Sequence, residues 1–217
     1  MSDGASPIRM MATLGLAGMV SGAVMATTYL VTAPIIAGNH AEALERAVYE
    51  VLPGAVSQTP YVREGDRVVP HAGDGIPTEE AVFAGFDADG RFVGFAIPAS
   101  GAGFQDTIAL LFGFRPADQR VLGMAVLESR ETPGLGDKIA KDASFLRQFR
   151  ALDAHGDLVA KKPERTPADP DAGEIDVITG ATISSKAVVR IIDGGLDHWR
   201  DHLPAAVPPA PREEGPR

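Results

Sequence analysis

Apolar residues run without a charge from Met10 to Ile36, then recur at three- and four-residue intervals, and beyond residue 80 gather in short runs separated by turn residues. The first pattern covers about 27 residues, which as a helix at 1.5 Å per residue reach roughly 40 Å, whereas a bilayer core requires only about 20 residues. It predicts a transmembrane helix over 10–36. A cleaved signal peptide is the rival reading, but the stretch exceeds the usual apolar core of about 7 to 15 residues and no convincing small-residue cleavage site follows. An uncleaved anchor is therefore expected. Gly18 and Gly22, with Gly15 nearby, form a small-xxx-small pair that admits a neighbouring helix, although glycines are also simply frequent in such spans.

His40 to Leu52 places Ala41, Leu44, Ala47, Val48, Val51 and Leu52 at helical spacing, closed by Pro53-Gly54, and predicts a separate amphipathic helix leaving the membrane. Residues 55–80 are rich in Gly, Pro and charge and hold at most a short strand at Arg67–Val69. A hairpin follows, Ala81–Phe86 and Arg91–Ile97 around the turn Asp87-Ala88-Asp89-Gly90. Two further runs, Thr107–Phe114 and Val121–Leu127, flank Arg115-Pro116-Ala117-Asp118 and complete an antiparallel sheet. Helical spacing returns over Asp137–Arg150, gives way to a polar, proline-broken loop at Lys161–Gly173, and resumes from about Thr182 through Ile183, Ala187, Val188, Ile191, Ile192, Leu196 and Trp199.

The fold class expected is α+β: a single N-terminal transmembrane helix followed by one domain of antiparallel sheet plus helices. Its divisions are a cytoplasmic tail at 1–9, the anchor at 10–36, an extracytoplasmic domain at 37–202 and a disordered Pro-rich tail at 203–217. Arg9 before the span and Arg46 beyond it leave orientation undetermined by charge. The short N-terminal tail favours a single-pass inner-membrane protein with its bulk on the periplasmic side.

Composition narrows the chemistry. Twenty Lys+Arg against 29 Asp+Glu leave a net charge of -9, which argues against nucleic acid as a partner. With no cysteine, thiolate zinc, iron–sulfur clusters, thioether haem, disulfides and a cysteine nucleophile are excluded. Redox chemistry would require a non-thiol cofactor.

The chain carries one informative constellation, Asp176-Val-Ile-Thr179-Gly180-Ala181-Thr182, immediately before a predicted helix. Such a position has free backbone N–H groups and the positive end of a helix dipole, and so suits a phosphate. Gly180 and Ala181 keep the approach open, and Thr182, Ser184, Ser185 and Lys186 offer donors. The plainer reading makes Thr179 or Thr182 an N-cap. A Walker phosphate loop is a poor fit, because the glycine before the lysine is missing. A second segment, Glu131-Thr132-Pro133-Gly134-Leu135-Gly136, follows a strand. Pro133-Gly134 sets a tight turn and Gly136 permits close backbone approach, whether to a ligand or merely to another segment. A third is Gly101-Ala-Gly103-Phe104 ahead of a strand.

Together these segments resemble the RnfG/NqrC family of covalently flavinylated FMN-binding subunits, whose flavinylation sequence is Asp-x-x-Ser/Thr-Gly-Ala-Thr. All five defined positions match, and the likeness spans residues 10 to about 200, closer to RnfG by length. The resemblance implies covalent FMN, esterified through its phosphate to Thr182 by a dedicated flavin transferase. It also implies a site that includes Asp176, Thr179, Gly180, Ala181, Ser184 and Ser185. The family's Glu-Thr-Pro-Gly-Leu-Gly segment lies near the flavin, which makes Glu131, Thr132 and Leu135 candidates there.

The function so implied is an electron-relay subunit of a membrane-bound Rnf-type ion-translocating oxidoreductase complex, partnered by the other membrane subunits. No catalytic residue of its own is assigned. Alternatives are an NqrC-like subunit of a sodium-pumping NADH:quinone reductase or an FMN-binding subunit of another respiratory or photosynthetic chain. From a different class comes an unmodified membrane-anchored scaffold or binding protein. His198 and His202 are four apart, but no third ligand is evident and no metal site is expected. No Gly-x-Gly-x-x-Gly opens a helix, so direct hydride transfer from NADH is not expected.

Overall fold

The computed structural model describes residues 7–71, 80–163 and 166–208. Its contacts divide the chain into two compact units, Met1–Ala43 and Leu44–Arg217. Helix α1 runs over Pro7–Val51 with Pro34 inside it, so the anchor and the amphipathic segment expected as two helices are one continuous helix. The helix runs on through Gly38 and Asn39, because one glycine inside a helix costs only about 1 kcal/mol and a change in hydropathy removes no backbone hydrogen bond. Large apolar side chains such as Leu14, Met19, Met25, Leu30 and Ile35 are exposed. By length and composition this helix can cross a membrane.

The second unit is built on a seven-stranded antiparallel sheet. The strands are β1 (Ser57–Glu64), β2 (Arg67–Pro70), β3 (Ala81–Phe86), β4 (Phe92–Ala102), β5 (Thr107–Arg115), β6 (Arg120–Ser129) and β7 (Leu152–Asp153). Their order across the sheet is β2-β1-β3-β4-β5-β6-β7. The β3–β4 hairpin turns as its sequence indicates: Asp87 Oδ1 accepts from the amides of Asp89 and Arg91, and Gly90 takes the left-handed conformation at φ +76°. Between β6 and β7 lie α2 (Lys138–Lys141) and α3 (Ala143–Arg147). The single helix expected over 137–150 is therefore two. Asp142 adopts an extended backbone, and its side chain caps α3 by accepting from the Ser144 and Phe145 amides.

The alternation of each strand sends side chains to two cores. Val82, Ala84, Phe86, Phe95, Ile97, Ile108, Leu110, Phe112 and Phe114 face the larger one, with α4 (Thr182–Trp199) laid over it through Val188, Ile191, Ile192 and Leu196. The opposite face carries Phe83, Ala96, Leu111, Leu122 and Ala125 and receives the last turns of α1 through Ala47, Val48, Val51 and Leu52. Close approach there depends on small residues. A side chain on Gly113 would collide with the Val51 carbonyl oxygen.

Three features have no counterpart in the hydropathy pattern. In 55–80, where at most a short strand at Arg67–Val69 is expected, the eight-residue β1 forms and pairs with both β2 and β3. At the two ends of the loop expected at 161–173, a short parallel pair forms from β8 (Val159–Lys161) and β9 (Glu174–Asp176). The chain also goes on packing past Leu203, against the expectation of a disordered tail from there. Val207 is buried, and the Pro208 carbonyl accepts from the Tyr61 hydroxyl at 2.9 Å. Pro-rich backbone has no N–H to satisfy at each proline and docks readily on an apolar surface. Residues 209–217 lie outside the described residues, as do 1–6 and the stretch 72–79.

Candidate functional site

Three segments that are far apart in sequence meet beyond one end of the sheet: the β4–β5 turn, the turn after β6, and the N-terminus of α4. They enclose a cleft of about 350 Å³, within the usual size range of small-molecule sites. Phe104 comes from the first segment, Thr132, Leu135 and Gly136 from the second, and Gly180 to Ser184 from the third. Phe104, Leu135 and Ile183 are 61%, 50% and 57% exposed, so an apolar mouth is held open to solvent.

The approach to α4 explains why glycine precedes it. Gly180 sits at φ +87°, a conformation that L side chains rarely adopt. Ala181 then occupies the cap position and supplies no side-chain cap, so Thr182 is the first residue of the helix rather than its cap. The first bond of the helix runs from the Ser185 amide to the Ala181 carbonyl at 2.9 Å, which leaves the amides of residues 182–184 ahead of the ladder. The Thr182 hydroxyl makes no hydrogen bond among the described residues.

Ser185 does the bracing instead. Fully buried, it donates to the Ala181 carbonyl at 2.9 Å and accepts from the Ile178 amide at 3.1 Å. Thr132 donates to Gln105 Oε1 at 3.1 Å, tying the second segment to the first.

Behind the cleft lies Glu131, 5% exposed. Its Oε1 accepts from the amides of Phe104 at 2.8 Å and Gln105 at 3.1 Å, and its Oε2 accepts from the Ser184 hydroxyl at 2.6 Å. Burial pushes its carboxyl up, but these hydrogen bonds outweigh burial and hold it below the ordinary carboxylate range. Gly103 and Gly136 wrap it so closely that a side chain on either would strike its carboxylate oxygens.

Of the residues expected in the site, the cleft brings together Thr182, Gly180, Ala181, Ser184, Thr132 and Leu135. Glu131 and Ser185 are buried behind it. Asp176 and Thr179 line a different groove, with Gln148, Phe145 and Lys138. There Asp176 Oδ2 accepts from the Ala168 amide at 3.0 Å, while Oδ1 is buried and without a partner among the described residues. Sequence reasoning did not name Phe104, Ile183 or Gly136 as site residues. The Gly101-Ala-Gly-Phe stretch was the available signal for the first.

Residues 103–197, which include every wall of this cleft, match the family described as FMN-binding domain. Two relatives are similar over nearly their whole length. The chain is 31% identical to the G subunit of an ion-translocating oxidoreductase complex from Methanosarcina acetivorans, covering 91% of this chain and 97% of that one. It is also 31% identical to the corresponding G subunit from Cereibacter sphaeroides, covering 95% and 90%. The chain belongs to the family of G subunits of ion-translocating oxidoreductase complexes. In fold it is similar to NqrC of Shewanella oneidensis, with a TM-score of 0.56 and 18% identity over 77% of this chain and 96% of that one.

Proposed function

We propose that this chain is the electron-relay subunit of a membrane-bound Rnf-type complex, carrying FMN in the 104–136–182 cleft through a phosphoester to the Thr182 hydroxyl. The single observation that carries the reading is the position of that hydroxyl. It opens α4 at the mouth of the cleft, has no hydrogen-bond partner among the described residues, and stands beside the amides that precede the helical ladder.

The residues fit the group. The unpaired amides at 182–184 and the left-handed Gly180 suit a phosphate, and Phe104, Leu135 and Ile183 offer apolar surface to a ring system. Thr132 and Ser184 add polar contacts within the same walls. FMN supplies electron transfer singly or in pairs, so it can join partners of different electron count. What this chain supplies is the tether, the cleft walls and the anchor. A tether matters on the extracytoplasmic face, where we place the domain, because a released cofactor would be lost. The partners under this reading are the other membrane subunits of the complex, and a flavin transferase for maturation.

The test is coexpression of the full chain with a flavin transferase, followed by a denaturing gel viewed under ultraviolet light. A fluorescent band is expected, and Thr182→Val is expected to abolish it while circular dichroism stays native, since loss of one hydroxyl costs only about 1 kcal/mol. A dark wild-type band refutes the covalent reading. Fluorescence retained in Thr182→Val moves the acceptor to Thr179 or Ser184.

A further inference from the structure

Glu131 is the only buried acidic side chain among the described residues. No ion pair among the described residues includes it. Its charge is met by neutral dipoles: the amides of Phe104 and Gln105, with that of Asp106 beside them, and the hydroxyl of Ser184. Phe104, Ser184 and Gly136, which closes over its Oε2 side, all line the cleft. An unneutralised carboxylate is therefore set one residue's thickness behind the cleft wall.

We propose that Glu131 is a positioning residue that lowers the reduction potential of the flavin bound in this cleft, by its own charge and by dictating which way the Ser184 hydroxyl points. The inference rests on the reading that FMN occupies the cleft. Hydrogen bonding that keeps the carboxyl ionised across the neutral range supports it.

Ser184 has one hydroxyl proton, and it is directed to Glu131 Oε2 at 2.6 Å. Toward the cleft that hydroxyl can therefore present only lone pairs. Both effects work in one direction. One electron taken up without a proton, or two electrons taken up with one proton, leaves a cofactor one unit more negative than its oxidised form. A fixed negative charge behind the wall, and an acceptor in front of it, both oppose that change. In Glu131→Gln the Oε1 acceptor for the two amides can remain, but an amide donor faces Ser184. The serine must then accept, and its proton is freed for the cleft. The substitution removes the charge and reverses the dipole together.

The test is spectroelectrochemical titration of the full-length, flavin-loaded protein in detergent, with dithionite as reductant and mediators, comparing wild type, Glu131→Gln and Ser184→Ala. At a fixed applied potential, Glu131→Gln is expected to raise the reduced-to-oxidised ratio by on the order of tenfold, for a charge removed at close range in an effective dielectric of about 20. That is about 30 mV for a two-electron couple. Ser184→Ala keeps the charge and removes both the acceptor in front of it and a dipole that screens it, two opposed effects, so the ratio is expected to change by clearly less than in Glu131→Gln. A merely structural role for Glu131 moves the two variants by the same amount.

An unchanged or lowered ratio in Glu131→Gln overturns the proposal, and so does a rise in Ser184→Ala equal to that of Glu131→Gln. If Glu131→Gln does not fold or load flavin, Ser184→Ala decides alone: a rise of about tenfold or more with the charge still in place overturns the proposal, and a smaller change supports it. A wild-type chain that binds no flavin sinks the underlying reading and this one with it. A loaded wild type with an unshifted Glu131→Gln sinks only the tuning.

Discussion

Gln148 holds the backbone of Asp176 at both of its polar atoms: its Oε1 accepts from the Asp176 amide at 2.7 Å, and its Nε2 donates to the Asp176 carbonyl at 3.1 Å. The end of α3 is thereby fastened to β9, four residues before the left-handed Gly180. Replacing Gln148 by Leu leaves an amide and a carbonyl of the segment that leads to Thr182 without those partners. A loss of about 1–3 kcal/mol is expected in urea unfolding, together with slower flavin loading. Unchanged stability would mean that water replaces the side chain at no cost.

The opposite face of the sheet offers a sharper contrast. A side chain on Gly113 would meet the Val51 carbonyl, whereas one on Gly194, in the exposed middle of α4, would meet nothing within 4 Å. Gly113→Val is expected to destabilise by about 1–3 kcal/mol or more through overpacking. Gly194→Ala is expected to stabilise by up to about 1 kcal/mol, because alanine has the higher helix propensity. Thermal melts of the two variants should move in opposite directions.

Phe104 is 61% exposed at the cleft mouth, so its removal disturbs little packing. Phe104→Ala should melt within about 0.5 kcal/mol of wild type. The absorption and fluorescence of bound flavin should nonetheless change as the ring loses an aromatic neighbour. Spectra identical to wild type would remove Phe104 from the site.

Asp193, on α4, is pushed up by burial, and further by Asp197 and Asp157, against the lowering effects of the Leu158 amide and Arg200. Its folded form thus holds a proton more tightly than the unfolded chain does. Stability contributed by the neutral form is full below the ordinary aspartate value of about 3.9 and is lost as pH rises through the raised folded value. Asp193→Asn can still accept from the Leu158 amide, a bond of 3.0 Å in the wild type. It should melt higher than wild type at pH 7, and the advantage should vanish on acidification below the ordinary range. An advantage that persists there would place the effect in packing instead of charge.

How far the chain could be read in advance follows from what each signal reports. Short apolar runs bounded by turn residues at 81–86, 92–97, 107–114 and 121–127 located the central strands, because each has one face on each core and is therefore apolar on both. The same signal could not find β8 and β9, three residues each, nor the break at Asp142, where one side chain prefers to cap a new helix over continuing the old one. The docking of Val207 and Pro208 on Tyr61 was invisible for a similar reason: the proline-rich composition indicated only that no helix or strand would form.

The linear chain by itself determined the apolar length of α1, the sheet, and the threonine that opens α4, since each depends on residues adjacent in sequence or at a fixed period. Only the tertiary structure decided that Phe104 joins Thr182 and Leu135 at one cleft, that Asp176 faces another groove, and that Glu131 lies behind the wall with the Ser184 proton turned toward it. Periodicity reports which face of an element shuns water. Which of those faces meet, and what polar groups must then satisfy one another, is settled by packing between segments 53 residues apart.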